Sequence, residues 1–258
     1  MLDVFLAAGL GASLVAVSTV AAARWGHVIG GVLSAFPLIV GPVLLVAAER
    51  HGTAFAARTA AATLLGLTAL SGFALAYAHS ARRLGWRSSL AGGWLVAAVS
   101  GALAARVETG LAGGLVAATG SLAVALWALP ARRSSSTPVV APRWELPVRM
   151  ALTAAMIVGI SAAAGRFGAA VAGALAALPT VASVLAVSTH RQQGADAVLD
   201  LLHGMLGGMA AFVLFCAVVA LLVEPAGVVV AFVLATAAAL LVQAGLGRQA
   251  AAAYASGR

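Results

Sequence analysis

The chain has 258 residues, of which 63% are hydrophobic and only 9% charged, and its mean hydropathy is +1.07. A soluble domain carries about a quarter of its residues as charged side chains, so this composition excludes one and predicts a polytopic membrane protein. The net charge of +8 comes from arginines between apolar runs, where orientation in a membrane explains them and nucleic-acid binding is not predicted.

Nine apolar runs follow one another along the chain. They cover residues 3 to 23, 27 to 48, 54 to 79, 88 to 105, 109 to 129, 147 to 165, 168 to 189, 196 to 223 and 226 to 246. The first run opens with Asp3 and stays apolar for about 20 residues, so we interpret it as a span and not as a cleaved signal. Barrel strands would be shorter and would alternate in polarity. The sequence therefore predicts an all-α, polytopic transmembrane helical bundle of about nine spans.

The second half of the chain repeats the first at an offset of 142 residues. Over residues 24 to 78, twelve of 55 aligned positions are identical. Scarce residue types are among them, because Arg24 aligns with Arg166 and Pro37 with Pro179. Duplication around a proline-broken membrane helix is typical of secondary transporters, whose substrate site lies at the repeat interface.

The distribution of arginines predicts the orientation. With nine spans, eleven arginines lie on one side: Arg24, Arg82, Arg83, Arg87, Arg132, Arg133, Arg143, Arg149, Arg191, Arg248 and Arg258. The other side has four, namely Arg50, Arg58, Arg106 and Arg166. The positive-inside rule then places the N-terminus outside and the C-terminus in the cytoplasm of a bacterial inner membrane.

The unmatched fifth span inverts the second copy, because it makes the number of crossings between equivalent helices odd. The prediction is a four-plus-one-plus-four inverted repeat. Residues 1–105 form the first four-helix repeat and 106–129 the inverting helix. Residues 130–146 are rich in Pro, Ser and Arg and form a mobile cytoplasmic linker, and 147–258 form the second repeat with its tail.

Two prolines in mid-span mark the candidate substrate site. Pro37 and Pro179 each remove a backbone donor and free a carbonyl, so each helix should kink or unwind. In a bilayer such groups are tolerated only against protein, water or substrate, and the matched pair therefore points to a central site. Ser34, Thr180 and Ser183 can add hydroxyl groups to it. The alternative is that these prolines and hydroxyls serve only helix packing.

Arg24 and Arg166 open equivalent helices, each followed by an aromatic residue and glycine. A guanidinium at a helix entrance can bind phosphate or carboxylate, so both are candidate contacts for an anionic head group. Interfacial anchoring of the helices is the alternative.

Asp196, Asp200 and His203 share one helical face and are candidates for proton coupling. The alternative is that acids in the first turns of a helix complement its dipole. The pattern is too loose to predict a metal site, and the single cysteine, Cys216, excludes a disulfide framework. We predict no cofactor.

The segment from Gly173 to Pro179, with His190, Arg191 and Gly194 after the next apolar run, resembles the GlpM-like family of small four-helix bacterial membrane proteins. Each half of this chain would correspond to one such unit, here duplicated and fused with an additional span. The resemblance implies an inner-membrane protein and supplies no catalytic residues.

Two classes of function remain open. The first is a secondary transporter or flippase of a small or amphiphilic, possibly anionic, solute by alternating access. The second is a non-transporting scaffold or accessory subunit of an envelope-assembly system, with a homo-oligomer or an envelope protein as its partner. An enzyme is not predicted, because no nucleophile stands with a base in a recognised pattern.

Overall fold

The computed structural model describes residues 2–25, 32, 35, 37, 39–104, 106, 110–131 and 144–256, without the side chains of residues 2, 3, 14, 17–25, 145 and 249–256. Within these ranges helix is the only regular secondary structure, which confirms the all-α class. The helices are α1 (Leu2–Trp25), α2 (Val40–His51), α3 (Thr53–Ala81), α4 (Trp86–Ala104), α5 (Leu111–Ala128), α6 (Glu145–Ala176), α7 (Thr180–Leu222) and α8 (Gly227–Ser256).

Four helical segments within the described residues are long and apolar enough to cross a membrane: Thr53–Ala81, Leu111–Ala128, Leu146–Leu222 and Gly227–Arg248. Large apolar side chains face outward, including Leu95, Val116, Trp127, Val229 and Leu241. Soluble proteins seldom expose such a surface, whereas a lipid-facing bundle requires it. Both observations support a membrane protein.

The segment Leu146–Leu222 is interrupted. As one straight helix of 77 residues it would be roughly 115 Å long, against about 30 Å of bilayer hydrocarbon. The backbone turns sharply at Gly168 inside α6 and at Gly194 inside α7, with φ of 82° and 87°. Gly52, between α2 and α3, has the same φ of 87°. Residues with a side chain rarely adopt this conformation, so glycine at these positions lets one helix follow another at an angle.

Both predicted proline breaks lie between helices. Pro37 is outside helical structure and α2 begins at Val40, while Ala177, Leu178 and Pro179 separate α6 from α7. Most of the remaining predicted second span, and residues 132–143 of the predicted linker, lie outside the described residues.

Helices α3 and α7 form the centre of the bundle. Their largest fully buried side chains include Tyr77 and Phe73 on α3 and Leu206 and Met209 on α7. The outer helices pack on them through small residues spaced four apart, which let backbones approach closely. These residues are Ser89, Gly93 and Ala97 on α4, and Ala231, Ala235 and Ala239 on α8.

The bundle has two ends. At the Gly194 end, the guanidinium of Arg82 donates a 2.9 Å hydrogen bond to Asp196 and another to the carbonyl of Ala131. At the Gly168 end, Gly165 lies against the ring of His51. Because α3 runs from Gly52 to Arg82, it connects the two ends and sets them on opposite sides of the bundle.

Candidate binding cavities

The two prolines line one small cavity in the centre of the bundle. It has a volume of about 60 Å³, and its lining includes Pro37, Pro179, Leu70 and Phe212. A space of this size holds a few water molecules and no larger solute. The structure therefore brings the two predicted prolines together, at a point too narrow for a substrate.

The helices around this cavity are packed by two equivalent glycines. A Cβ placed on Gly66 of α3 would lie 2.7 Å from the Cβ of Ala177, and one placed on Gly208 of α7 would lie 2.9 Å from the Cβ of Ala35. The two glycines are 142 residues apart, and so are the two alanines. The same close approach is thus made twice, each time between one half of the chain and the other.

The backbone before each proline makes the same hydrogen bond. The N–H of Ala35 donates to the carbonyl of Val32, and the N–H of Ala177 donates to the carbonyl of Ala174, both at 3.3 Å. The carbonyl that Pro179 would leave free, that of Leu175, accepts from the N–H of Leu178 at 3.2 Å. A tight last turn therefore satisfies this group, as often happens at helix ends.

The predicted hydroxyl groups lie beside the proline cavity and not among its lining residues. Ser183 donates to the carbonyl of Pro179 and accepts from the indole N–H of Trp94 at 3.0 Å. The hydroxyl of Thr180 contacts the sulfur of Met156. Ser34 lies outside the described residues. Substrate binding by these three residues stays a prediction.

A second, much larger cavity opens at the Gly168 end. Its volume is about 1000 Å³, and it is lined by the first part of α3, the second part of α4, the start of α5 and residues between Phe167 and Leu178. The lining is mostly alanine and glycine. Leu178 lines this cavity and the proline cavity as well, so the large cavity extends to the centre of the bundle.

Arg58 is the one charged side chain among the described residues that line the large cavity. The sequence analysis counted it only toward membrane orientation. Its position five residues into the third apolar run was the available signal, since an arginine within a span is a functional candidate. Arg166 is exposed and is not a lining residue, and the side chain of Arg24 is outside the described residues.

Polar contacts close the Gly194 end. Besides the ion pair between Arg82 and Asp196, the hydroxyl of Tyr77 is hydrogen-bonded to Nδ1 of His190 at 3.2 Å. Partial burial lowers the pKa of His190, which follows the predicted seventh span, so its imidazole is neutral at pH 7. The guanidinium of Arg191 lies 5.2 Å from the ring centre of Trp86. These contacts all join the α3–α4 region to α7.

The three proton-coupling candidates have different surroundings. Asp196 is partly exposed and paired with Arg82, whereas Asp200 is buried, with 4% of its surface accessible. Nδ1–H of His203 donates to the carbonyl of Leu199. Groups of three or more metal-ligating side chains do not occur within the part of the chain that the structure describes. Proton coupling stays a prediction.

Gln243 of α8 makes the counterpart of the large cavity different. Its buried amide donates a 2.9 Å hydrogen bond to the carbonyl of Val32. The residue 142 positions earlier is Gly101, which lines the large cavity and has no side chain to reach the equivalent carbonyl of Ala174. The two halves are therefore packed differently at this point.

Comparison of the chain with protein-family models, with curated proteins and with solved structures finds no match. The resemblance of residues 173–194 to the GlpM-like family accordingly stays a prediction. Function is therefore argued from the two cavities and the contacts around them.

Proposed function

We propose that the chain is a secondary transporter or flippase that moves an amphiphilic solute, with a preference for anions, by alternating access between two inverted halves. The large cavity is the observation that carries this proposal. It is open at the Gly168 end, extends to Leu178 at the centre, and faces polar contacts that close the Gly194 end. A central space open to one side only is what an alternating-access protein presents in one of its states.

The lining of the large cavity supports an amphiphilic solute. A space of about 1000 Å³ is at the upper end of the range for small-molecule sites, and its walls are mainly alanine and glycine. Such walls cannot satisfy the many polar groups of a sugar or a peptide. They suit an apolar body, with Arg58 available to a charged head.

Matched burial supports the inverted repeat within this proposal. Sixteen residues of α3 are buried, and the positions 142 residues further on are buried in every case except Ala220, the counterpart of Ala78. The breaks at Gly52 and Gly194 have the same φ. Each half contacts the other through the same residues, as a two-fold relation requires.

Nine spans and the orientation belong to the same proposal. Breaks at Gly168, Pro179 and Gly194 divide Leu146–Leu222 into pieces that fit the predicted sixth, seventh and eighth spans. We propose a bacterial inner-membrane location with the Gly194 end, near seven of the eleven arginines of the predicted cytoplasmic loops between residues 82 and 191, facing the cytoplasm. The large cavity would then open to the outside.

The prolines provide the test. Proline in a helix interior costs about 3 kcal/mol, so Pro37→Ala and Pro179→Ala should each favour a continuous helix over the broken one by roughly a hundredfold. We expect both variants to fold and to lose at least about tenfold in the rate of flipping, because the central break must persist for alternation. The assay is the movement of NBD-labelled phosphatidylglycerol across proteoliposome membranes, followed by dithionite quenching.

Pro42→Ala is the matched control. Pro42 is in the first turn of α2, where proline is tolerated, and it does not line the proline cavity. It should flip lipid at the wild-type rate. If all three variants keep the wild-type rate, or if the wild-type protein moves no lipid and the proline variants lose only an envelope partner in pull-down, the transport proposal fails and an accessory role takes its place.

A further inference from the structure

We propose that the large cavity binds one anionic phospholipid, with the lipid phosphate at its mouth beside Arg58 and an acyl chain along its alanine-lined wall. This inference deepens the proposed function by naming the substrate class and the residue that selects it. Lipid binding itself can be measured without transport.

Arg58 has no hydrogen-bond or ion-pair partner among the described residues, and its side chain is exposed at the Gly168 end. It lies in the second turn of α3, which begins at Thr53. A cation there gains nothing from the helix dipole, whose N-terminal end is itself positive. An external anion would satisfy both the guanidinium and the helix end.

Two further helix N-termini meet the cavity at the same place. α5 begins at Leu111 after Gly110, which provides no side-chain cap, and both residues line the cavity. The part of α6 that follows Gly168 begins there as well. The first N–H groups of a helix have no partner within it, and with the dipole they form a site for phosphate. Together with Arg58 they make the mouth electropositive.

The tail would enter from the bilayer. α4 and α6 both pack against α3 but hardly touch each other within the described residues, so the cavity between them is open sideways. Lining residues on both helices, such as Ala98 and Val171, are exposed on the outer surface. A lipid can therefore place its head at the mouth while its chain passes between two helices without leaving the hydrocarbon. Free phosphate would leave the apolar wall unused.

The opposite end of the bundle lacks this preference. At the position equivalent to Arg58, 142 residues further along the chain, the residue is Asp200, and the position equivalent to Gly101 is Gln243. A carboxylate repels a phosphate where a guanidinium attracts it. The inference is therefore that anionic lipid binds from the Gly168 end.

Native mass spectrometry of the purified full chain tests the site. The probes are palmitoyl-oleoyl phosphatidylglycerol and the phosphatidylcholine with the same chains. The wild-type protein should retain phosphatidylglycerol preferentially. Arg58→Gln should lose that preference by about tenfold or more, as expected when a charge-assisted hydrogen bond is removed. Arg83→Gln removes the same charge from the opposite end and should bind as the wild type does.

Two more arms identify the bound chemistry and the wall. Inorganic phosphate should not displace the lipid, and Ala98→Trp should weaken both lipids alike by filling the space, with its melting temperature showing that it folds. The inference is overturned if Arg58→Gln keeps the wild-type preference, if Arg83→Gln loses as much, if inorganic phosphate competes fully, or if Ala98→Trp folds and binds both lipids as the wild type does.

The outcome separates this inference from the proposed function. Lipid bound through Arg58 without any flipping would leave the site standing and remove the transporter. Flipping that survives in Arg58→Gln, with unchanged lipid preference, would leave the transporter and remove the site.

Discussion

Adjacent glycines on α7 have opposite surroundings. A Cβ on Gly208 would lie 2.6 Å from the carbonyl oxygen of Val32 and 2.9 Å from the Cβ of Ala35, whereas a Cβ on Gly207 would have no neighbour within 4 Å. The backbone of the other half of the chain therefore approaches α7 closely at only one of the two. This is the kind of contact for which membrane helices use small residues.

Gly208→Ala should destabilise the protein, and Gly207→Ala should not. The first change forces two backbones apart, and overpacking of this kind typically costs about 1–3 kcal/mol. The second only replaces glycine by a better helix former, which is worth up to about 1 kcal/mol in its favour. Thermal unfolding in detergent should give a lower melting temperature for Gly208→Ala alone. Equal melting temperatures would show that α7 does not make this contact.

Among the helices, α4 and α8 occupy equivalent places but only α8 closes against the other half. It does so through Gln243, while Gly101 of α4 faces the large cavity. A Cβ on Gly101 would be in ordinary contact with Ala69 at 3.5 Å, so a longer side chain can enter the cavity without a clash.

Gly101→Gln should close the large cavity. The new amide can reach the carbonyl of Ala174 as Gln243 reaches that of Val32, joining α4 to α6. We expect a higher melting temperature, from this hydrogen bond and the better helix propensity, together with lost lipid flipping. Gly92→Gln is the control, because Gly92 is on the same helix with no neighbour within 4 Å and does not line the cavity. Unchanged flipping in Gly101→Gln would mean that lipid does not pass this way.

For the protein in its membrane, the arginine asymmetry of eleven to four makes the orientation testable. Reporter fusions after Gly52 and after Ser136 should report opposite sides of the inner membrane, with the fusion after Ser136 in the cytoplasm. Their activities in intact cells measure this directly. Labelling of both positions from the same side would contradict the nine spans, the inversion and the proposed opening of the large cavity to the outside.

The sequence by itself determined the helices and most of their ends. Long apolar runs can only be helical in a bilayer, so the predicted spans 54 to 79, 88 to 105 and 109 to 129 correspond closely to α3, α4 and α5. Helices also end where Pro37 and Pro179 were expected to break them, because proline removes a backbone donor wherever it stands.

Tertiary structure alone decided what lies beside what. Helices that are apolar on every side carry no stripe that marks their partners, so the sequence did not show that α4 and α6 stay apart and leave a cavity between them. Nor did it show that Arg58 faces that cavity while Arg166 does not, or that Tyr77 meets His190, 113 positions away. These contacts depend on close packing between distant glycines and alanines, which look alike along the sequence and differ only in what faces them.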